Sequence, residues 1–132
     1  MERLMQRLQT ARQALSTLEE LSGIQEPSAV ERDAAIQRFE YTVEASWKAA
    51  RNYLRTVEGI DSNSPKGAIR SLRENGFLND EETVLALEMI DDRNLTSHTY
   101  NKEVAEGIFA RIPGYVELLN LWLTRILERV NQ

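Results

Sequence analysis

The sequence predicts an all-α protein built as a bundle of four to five helices. Apolar residues recur at spacings of three and four along most of the chain, which is the period of an amphipathic helix. No stretch alternates as a β-strand does, and six glycines and three prolines in 132 residues are too few for a turn-rich β fold. The length, with 42% hydrophobic and 28% charged residues, predicts one domain spanning residues 1–132.

The first two predicted helices are separated by a short segment with clear boundary signals. The first should end near Ser22 and Gly23, because glycine favours the position after a helix C-terminus. Ser28 and Glu31 have the spacing of a capping box and should open the second helix, which should end near Gly59. The apolar stripes of these two helices are Leu4, Leu8, Ala11, Leu15 and Leu18, and Ile36, Phe39, Val43, Trp47, Ala50, Leu54 and Val57.

The third and fourth predicted helices begin at residues that favour helix N-termini. Pro65 follows Ser64, and proline at the first helical position forfeits no hydrogen bond. This short helix should end at Asn75 and Gly76. The fourth should open at Asn79, because the acidic residues that follow interact favourably with the positive end of the helix dipole.

The last predicted helix begins near Asn101 and is the most apolar of the five. Pro113 and Gly114 should kink or break it. Five of the six residues 118–123 are large and apolar, so the helix is apolar nearly all round. Two explanations are open: the run lies at the centre of the monomer, or it packs against a second partner.

The charge distribution argues against a general nucleic-acid coat. The chain has 16 basic and 21 acidic residues, for a net charge of -5. Proteins that coat duplex DNA are basic, so we expect no duplex DNA partner. The acidic stretch 80–92 would also oppose RNA beside it. Its six acids, with no intervening Lys or Arg, are Asp80, Glu81, Glu82, Glu88, Asp91 and Asp92.

The residue inventory excludes several kinds of site. Without cysteine there is no disulfide scaffold, thiolate zinc site or cysteine nucleophile, and one histidine provides no cluster for a transition metal. Glu40 and Glu44 share a helix face but have no further ligands nearby in sequence, so we predict no metal and no other cofactor. No stretch approaches the ~18 apolar residues that cross a bilayer, and the N-terminus lacks a signal-peptide core. We therefore expect a cytoplasmic protein without membrane contact.

One segment carries residues suited to chemistry. It contains the only histidine, His98, with Arg93 five residues before it and Tyr100 two residues after. On an unbroken helix Arg93 and His98 would point about 140° apart. The hydroxyl residues of segment 96–99 are poor helix formers, so the fourth helix should end near Leu95. That break would let the guanidinium and the imidazole converge.

A convergent arginine and histidine suit metal-free phosphoryl chemistry. His98 would deprotonate a ribose 2′-hydroxyl, and Arg93 would stabilise the charge that builds on the phosphorus oxygens. The alternative is that the two side chains only cap and pin a helix junction.

Three sequence blocks, in order along the chain, resemble those of a known superfamily. Arg93-x-x-x-x-His98-x-Tyr100, with Asn94 directly after the arginine, is similar to the signature of HEPN proteins. The resemblance is closest to the subfamily of nucleotidyltransferase substrate-binding proteins. Residues 38–48, RFEYTVEASWK, resemble that subfamily's R-F-E-x-T-x-E-x-x-W-K block, and Ser64 with the following proline resembles a third. Lys66 stands where we expect an arginine.

The resemblance implies an architecture and a set of roles. HEPN proteins form up-down antiparallel helical bundles and two-fold homodimers in which the Arg and His of both chains meet in one cleft. Transferred to this sequence, Arg93 and His98 would be catalytic, Asn94 supporting, and Tyr100 a nucleotide acceptor.

The resemblance does not assign a specific role to the second block. Glu40, Glu44, Trp47 and Lys48 match it. A solvated face on which the glutamates pair with nearby bases would also explain two of these residues. Trp47 and Trp122 lie on apolar stripes, so packing in the core or a dimer is favoured over base stacking.

Three functions follow from these patterns. The first is a subunit that pairs with a separate minimal nucleotidyltransferase in a toxin–antitoxin-like system and presents Tyr100 to it. The chain itself lacks the Gly-Ser pair and following two aspartates that nucleotide transfer requires. The second is a metal-independent ribonuclease toxin that uses Arg93 and His98, with RNA or a nucleotide in the dimer cleft. The third is a non-catalytic dimeric helical scaffold.

Overall fold

The computed structural model describes all residues 1–132 and contains helices only. Its five α-helices form an up-down antiparallel bundle, which confirms the predicted fold class. A π-helical turn, Leu54–Glu58, extends the second helix, and a 3₁₀ turn, Leu95–His98, follows the fourth. The helices are α1 (Glu2–Glu19), α2 (Ala29–Tyr53), α3 (Pro65–Glu74), α4 (Asp80–Asn94) and α5 (Lys102–Val130).

The helix starts follow the local signals in the sequence. Ser28 Oγ accepts from the Glu31 amide at 3.0 Å, and the Glu31 carboxylate accepts from the Ser28 amide at 2.8 Å, which completes the predicted capping box. Asn79 and Glu82 form a second capping box at the start of α4, at 2.8 and 2.9 Å. The second helix ends at Gly59 as predicted, because its φ of 70° lies in the left-handed region that glycine adopts without strain.

Of the kink or break predicted at Pro113, the break is wrong, because α5 continues through that residue as one helix. Proline lacks the amide hydrogen that would bond to the Phe109 carbonyl, a loss of about 3 kcal/mol inside a helix. The buried side chains of Ile112, Tyr115 and Leu119 hold the helix against the core on both sides of the proline. Tertiary packing therefore overrides the local signal.

The core runs along α5, which contacts α1, α2 and α4. Leu118, Leu119, Trp122 and Leu123 are at most 2% exposed within the single chain, whereas Leu121 is 42% exposed. Of the two explanations for this apolar run, packing inside the monomer accounts for all but one of its large side chains. No helix combines the length and the apolar character that crossing a membrane requires.

Candidate functional site

The turn between α4 and α5 carries the predicted site. Helix α4 ends at Asn94, one residue before the predicted end. The Thr96 hydroxyl donates to the Arg93 carbonyl at 2.7 Å and the Thr99 hydroxyl to the Thr96 carbonyl at 3.2 Å, as expected of hydroxyl residues that compete with helical hydrogen bonding. Asn101 then caps α5, because its side-chain oxygen accepts from two amides of the first turn. The predicted helix break is confirmed.

His98 and Tyr100 lie next to each other on this turn. Their rings meet edge to face with centroids 6.0 Å apart. The Tyr100 hydroxyl is 3.5 Å from His98 Nδ1, at the outer limit of a hydrogen bond. Tyr100 is 85% exposed, and His98 is also exposed. The turn therefore presents an imidazole and a phenol together to solvent.

Arg93 points to α2 rather than to the histidine of its own chain. Its terminal nitrogen donates to Glu44 Oε2 at 2.7 Å, and Lys48 Nζ lies 3.4 Å from the other oxygen of that carboxylate. Arg93 Nε is buried without a hydrogen-bond partner. No hydrogen bond joins Arg93 to His98 within the chain, so their action on a common substrate stays a prediction.

The second sequence block, residues 38–48 of α2, faces the segment that carries Arg93 and His98. The Thr96 hydroxyl, whose hydrogen is shared with the Arg93 carbonyl, lies 3.1 Å from Glu40 Oε2, while Glu44 holds Arg93. Glu44 also forms the expected i,i+4 pair with Lys48. The contacts of both glutamates with the motif were not predicted, because they join residues 56 and 49 positions apart.

The aromatic residue of the second block is part of the core. Trp47 is 7% exposed, and the guanidinium of Arg51 lies 4.8 Å from its ring centroid. Arg55 pairs with Asp61, not with either glutamate of the block.

Asn94, the predicted supporting residue, is exposed, and its side chain makes no hydrogen bond. A groove of about 310 Å³ beside the motif is lined by Gln37, Glu40, Tyr41, Glu44 and Arg93.

Most charges of the acidic stretch 80–92 are paired inside the molecule. Of its six acids, only Glu81 and Glu88 lack an ion pair. Lys66, the departure from the expected family pattern, neutralises Asp91 at 2.7 Å. The expected repulsion of RNA is therefore weaker than the bare count of acids indicates. The other three pairs are Asp80–Arg73, Glu82–Arg125 and Asp92–Arg111.

The four tyrosines differ sharply in the state of their hydroxyl groups. Tyr53 and Tyr115 are buried and donate to carboxylates, and burial raises the pKa of Tyr53 to about 12. Burial also raises the pKa of Tyr115. The Tyr41 hydroxyl is hydrogen-bonded to Thr17. Tyr100 alone combines a highly exposed side chain with a hydroxyl that faces only the histidine.

The structure contains no group of three or more histidine, aspartate or glutamate side chains placed to hold a metal ion. Glu40 and Glu44, the two carboxylates weighed as ligands, are engaged by Thr96 and by the cations of Arg93 and Lys48. The side chains that the turn and the end of α4 present are a guanidinium, an imidazole and a phenol.

Comparison with known proteins identifies what the chain is similar to. The family model described as "Nucleotidyltransferase substrate binding protein like" matches residues 6–128. A protein from Thermus thermophilus of known crystal structure is 58% identical, with a TM-score of 0.87 over 88% of this chain and 98% of that one.

Two relatives from Haemophilus influenzae are more distant. One structure, reported to reveal the fold of a substrate binding domain of a nucleotidyltransferase, is 26% identical, with a TM-score of 0.75 over 90% of this chain and 98% of that one. A protein named "Probable ribonuclease HepT" is 29% identical over 99 residues, or 72% of this chain. The matched part spans 66% of that relative's length.

A further structure, at 14% identity, shares the fold with a TM-score of 0.73 over 96% of each chain. It is a tri-AMPylated HEPN toxin from Shewanella oneidensis in complex with an MNT antitoxin.

Proposed function

The chain belongs to the nucleotidyltransferase substrate binding protein-like family, and from this premise we propose that it pairs with a separate minimal nucleotidyltransferase and presents Tyr100 as the nucleotide acceptor. The family description and the Haemophilus substrate-binding fold support the pairing. The tri-AMPylated Shewanella toxin supports covalent nucleotide transfer within this fold.

One observation carries the choice of Tyr100. An acceptor hydroxyl must reach the active site of another protein, and Tyr100 is 85% exposed on a turn. The other three tyrosine hydroxyls are hydrogen-bonded within the bundle: Tyr115 to Asp92, Tyr53 to Glu58 and Tyr41 to Thr17. Tyr53 and Tyr115 are buried, so freeing their hydroxyls would require the bundle to open, whereas Tyr41 is 42% exposed and is engaged by α1.

The transfer step follows from the groups on the turn. The phenolic oxygen of Tyr100 attacks the α-phosphorus of ATP, the bond to the bridging oxygen breaks, and pyrophosphate leaves. The phenolic proton passes to His98 Nδ1, the side-chain atom within hydrogen-bonding reach. The partner supplies the ATP site and the charge stabilisation for the leaving pyrophosphate.

Co-expression with a minimal nucleotidyltransferase from the same genome, followed by intact-mass spectrometry, tests this proposal. We expect the mass of the chain to increase by one or more AMP units. The adduct should disappear in Tyr100→Phe and persist in Tyr41→Phe, the matched control on α2. An unchanged mass for the wild type, or an adduct that survives Tyr100→Phe, would contradict it.

A second activity, metal-independent RNA cleavage, is favoured by the placement of Arg93 and His98. Both side chains reach solvent at the junction of α4 and α5, and a relative is named a probable ribonuclease. His98 would accept the proton of a ribose 2′-hydroxyl, whose oxygen attacks the adjacent phosphorus to form a 2′,3′-cyclic phosphate. The bond from phosphorus to the 5′-oxygen of the next nucleotide breaks, and that oxygen leaves as a hydroxyl with a proton returned by the imidazolium or water. Arg93 would stabilise the charge on the phosphorus oxygens. A nucleotide on Tyr100 would fill the space beside His98, so the two activities fit one regulated protein.

Expression of the chain without its partner tests the ribonuclease proposal. We expect growth arrest and RNA cleavage that are lost in Arg93→Ala and in His98→Ala. Ser97→Ala, on the same turn, serves as the control and should leave both largely intact, because Ser97 is exposed and its hydroxyl lies 3.5 Å from its acceptor. Equal cleavage by the wild type and His98→Ala would exclude the proposed mechanism.

A further inference from the structure

Asp92, directly before Arg93, is the only charged residue buried in the structure. It is 6% exposed. Its carboxylate accepts three hydrogen bonds from α5: two from Arg111, at 2.6 and 2.9 Å, and one from the Tyr115 hydroxyl at 2.6 Å. The carboxylate also raises the pKa of Arg111. We call these three residues the Asp92 bracket.

The Asp92 bracket joins the two helices on either side of the segment that carries the candidate site. Asp92 and Arg111 are 19 positions apart, and His98 and Tyr100 lie between them on the turn. The Thr96 hydroxyl ties the turn to Glu40 on α2. The bracket is therefore a polar connection, centred on a buried carboxylate, between the last turn of α4 and the first half of α5.

The bracket also acts on the orientation of Arg93. Neighbouring residues on a helix point about 100° apart, so Asp92 reaches α5 while Arg93 reaches Glu44 on α2. These two contacts fix the rotation of the last turn of α4 about its axis. A rotation of that turn would move the guanidinium and the first residue of the 3₁₀ turn together.

We propose that Asp92, Arg111 and Tyr115 are positioning residues that hold Arg93 and His98 in one geometry toward a shared phosphate. The inference rests on the proposed ribonuclease function for its catalytic consequence. Its geometric consequence, a fixed imidazole, does not depend on any activity. A displacement of about 1 Å in a catalytic group can lower a rate about a hundredfold, so a small relaxation of the bracket should be measurable.

Conservative variants of the bracket test the proposal. Tyr115→Phe removes one donor and keeps the ring that stacks on Phe39 with centroids 5.5 Å apart. Arg111→Lys keeps the positive charge but cannot make the bidentate hydrogen bond to the Asp92 carboxylate. Arg125→Lys is the matched control. Arg125 also joins α5 to α4, through an ion pair of 2.8 Å with Glu82, but this pair lies at the opposite end of α4 from Asp92.

The first readout is the cleavage of an unstructured oligoribonucleotide that contains all four bases. We expect kcat to fall about tenfold or more in the two bracket variants, while KM changes less than about threefold. Arg125→Lys should keep the kcat of the wild type. A loss of thermal stability without a loss of kcat in the bracket variants would assign them a structural role only and overturn the proposal.

The second readout is NMR of the imidazole, which reports on one site because His98 is the only histidine. We expect its ring resonances to shift or broaden in Tyr115→Phe and Arg111→Lys, and to match the wild type in Arg125→Lys. Unchanged resonances in both bracket variants would refute the positioning role. If the wild type does not cleave RNA, the ribonuclease proposal fails, and the imidazole resonances still decide the inference.

Discussion

Arg93 is held by a carboxylate that competes with any phosphate its guanidinium would bind. The contact with Glu44 is 2.7 Å long, and both side chains are 33% exposed. Ion pairs of such exposure contribute only about 0.2–1 kcal/mol, so a phosphate can displace the carboxylate. Glu44 therefore keeps the guanidinium oriented toward α2 at little cost in phosphate affinity.

Removal of this competition should strengthen phosphate binding. In Glu44→Gln the amide still accepts one hydrogen bond but no longer attracts the guanidinium by charge, so we expect AMP to bind about two- to fivefold more tightly. Isothermal titration calorimetry at low ionic strength measures the change. Glu88→Gln removes the same charge from an exposed residue without an ion pair. Equal affinities in the two variants would show that Glu44 does not compete at Arg93.

Two ion pairs fasten α4 to α5, one near each end of the shorter helix. Glu82 and Arg125 form the pair near the start of α4, and Asp92 and Arg111 the pair near its end. Arg125 also donates to the Phe77 carbonyl at 2.8 Å, so the α3–α4 loop is held as well. The pair at the start of α4 therefore holds the α3–α4 loop, and the pair at its end lies directly before the motif turn.

The Glu82–Arg125 pair gives the stability of the bundle an acid dependence. The hydrogen bond from Arg125 lowers the pKa of Glu82 below its ordinary value of 4.5. The unfolded chain then binds a proton at higher pH than the folded one, so this contribution is present above pH 4.5 and is lost as the pH falls through the lowered pKa.

Glu82→Gln should make stability less sensitive to acid. Glutamine keeps a side-chain oxygen for the capping box but has no proton to take up, so the free energy of unfolding should fall less between about pH 7 and pH 3 than in the wild type. Urea denaturation at both pH values measures this difference. Glu81→Gln, at an exposed acid without an ion pair, should retain the wild-type slope. An unchanged slope in Glu82→Gln would contradict the assigned cause.

Across the whole molecule, the features that depend on hydrogen bonds between residues close in sequence were predicted correctly from the sequence. The end of α4 follows from the hydroxyl residues of segment 96–99, and the start of α2 follows from Ser28 and Glu31. The family assignment made from the motif and the second block is confirmed by the match over residues 6–128. Short-range hydrogen bonding and spacing are sufficient for these features.

Contacts between distant segments could not be predicted in the same way. The approach of Glu44 to Arg93 depends on how α2 packs beside α4. The Asp92 bracket depends on α5 running unbroken through Pro113, which the local signal contradicted. Each of these features depends on the free energy of a packed core, which one chain segment does not reveal.

A two-fold dimer would bury Leu95, which is 40% exposed at the start of the turn between α4 and α5, and would leave the hydroxyl of Tyr100 accessible at the edge of the interface. We therefore expect the chain to sediment at twice its 15.2 kDa mass and Leu95→Glu to weaken the dimer at least tenfold. Val84→Glu, at a 56% exposed apolar residue near the other end of α4, should leave it intact. A monomeric wild type would exclude a shared cleft.

We propose that Arg93, His98 and Tyr100 form one site whose activity is controlled at the tyrosine. The most direct test of this proposal is RNA cleavage by two samples of the purified chain, one unmodified and one carrying a nucleotide on Tyr100. We expect the unmodified chain to cleave RNA and the cleavage to fall in proportion to the modified fraction. Equal cleavage by both samples, or cleavage by neither, would contradict it.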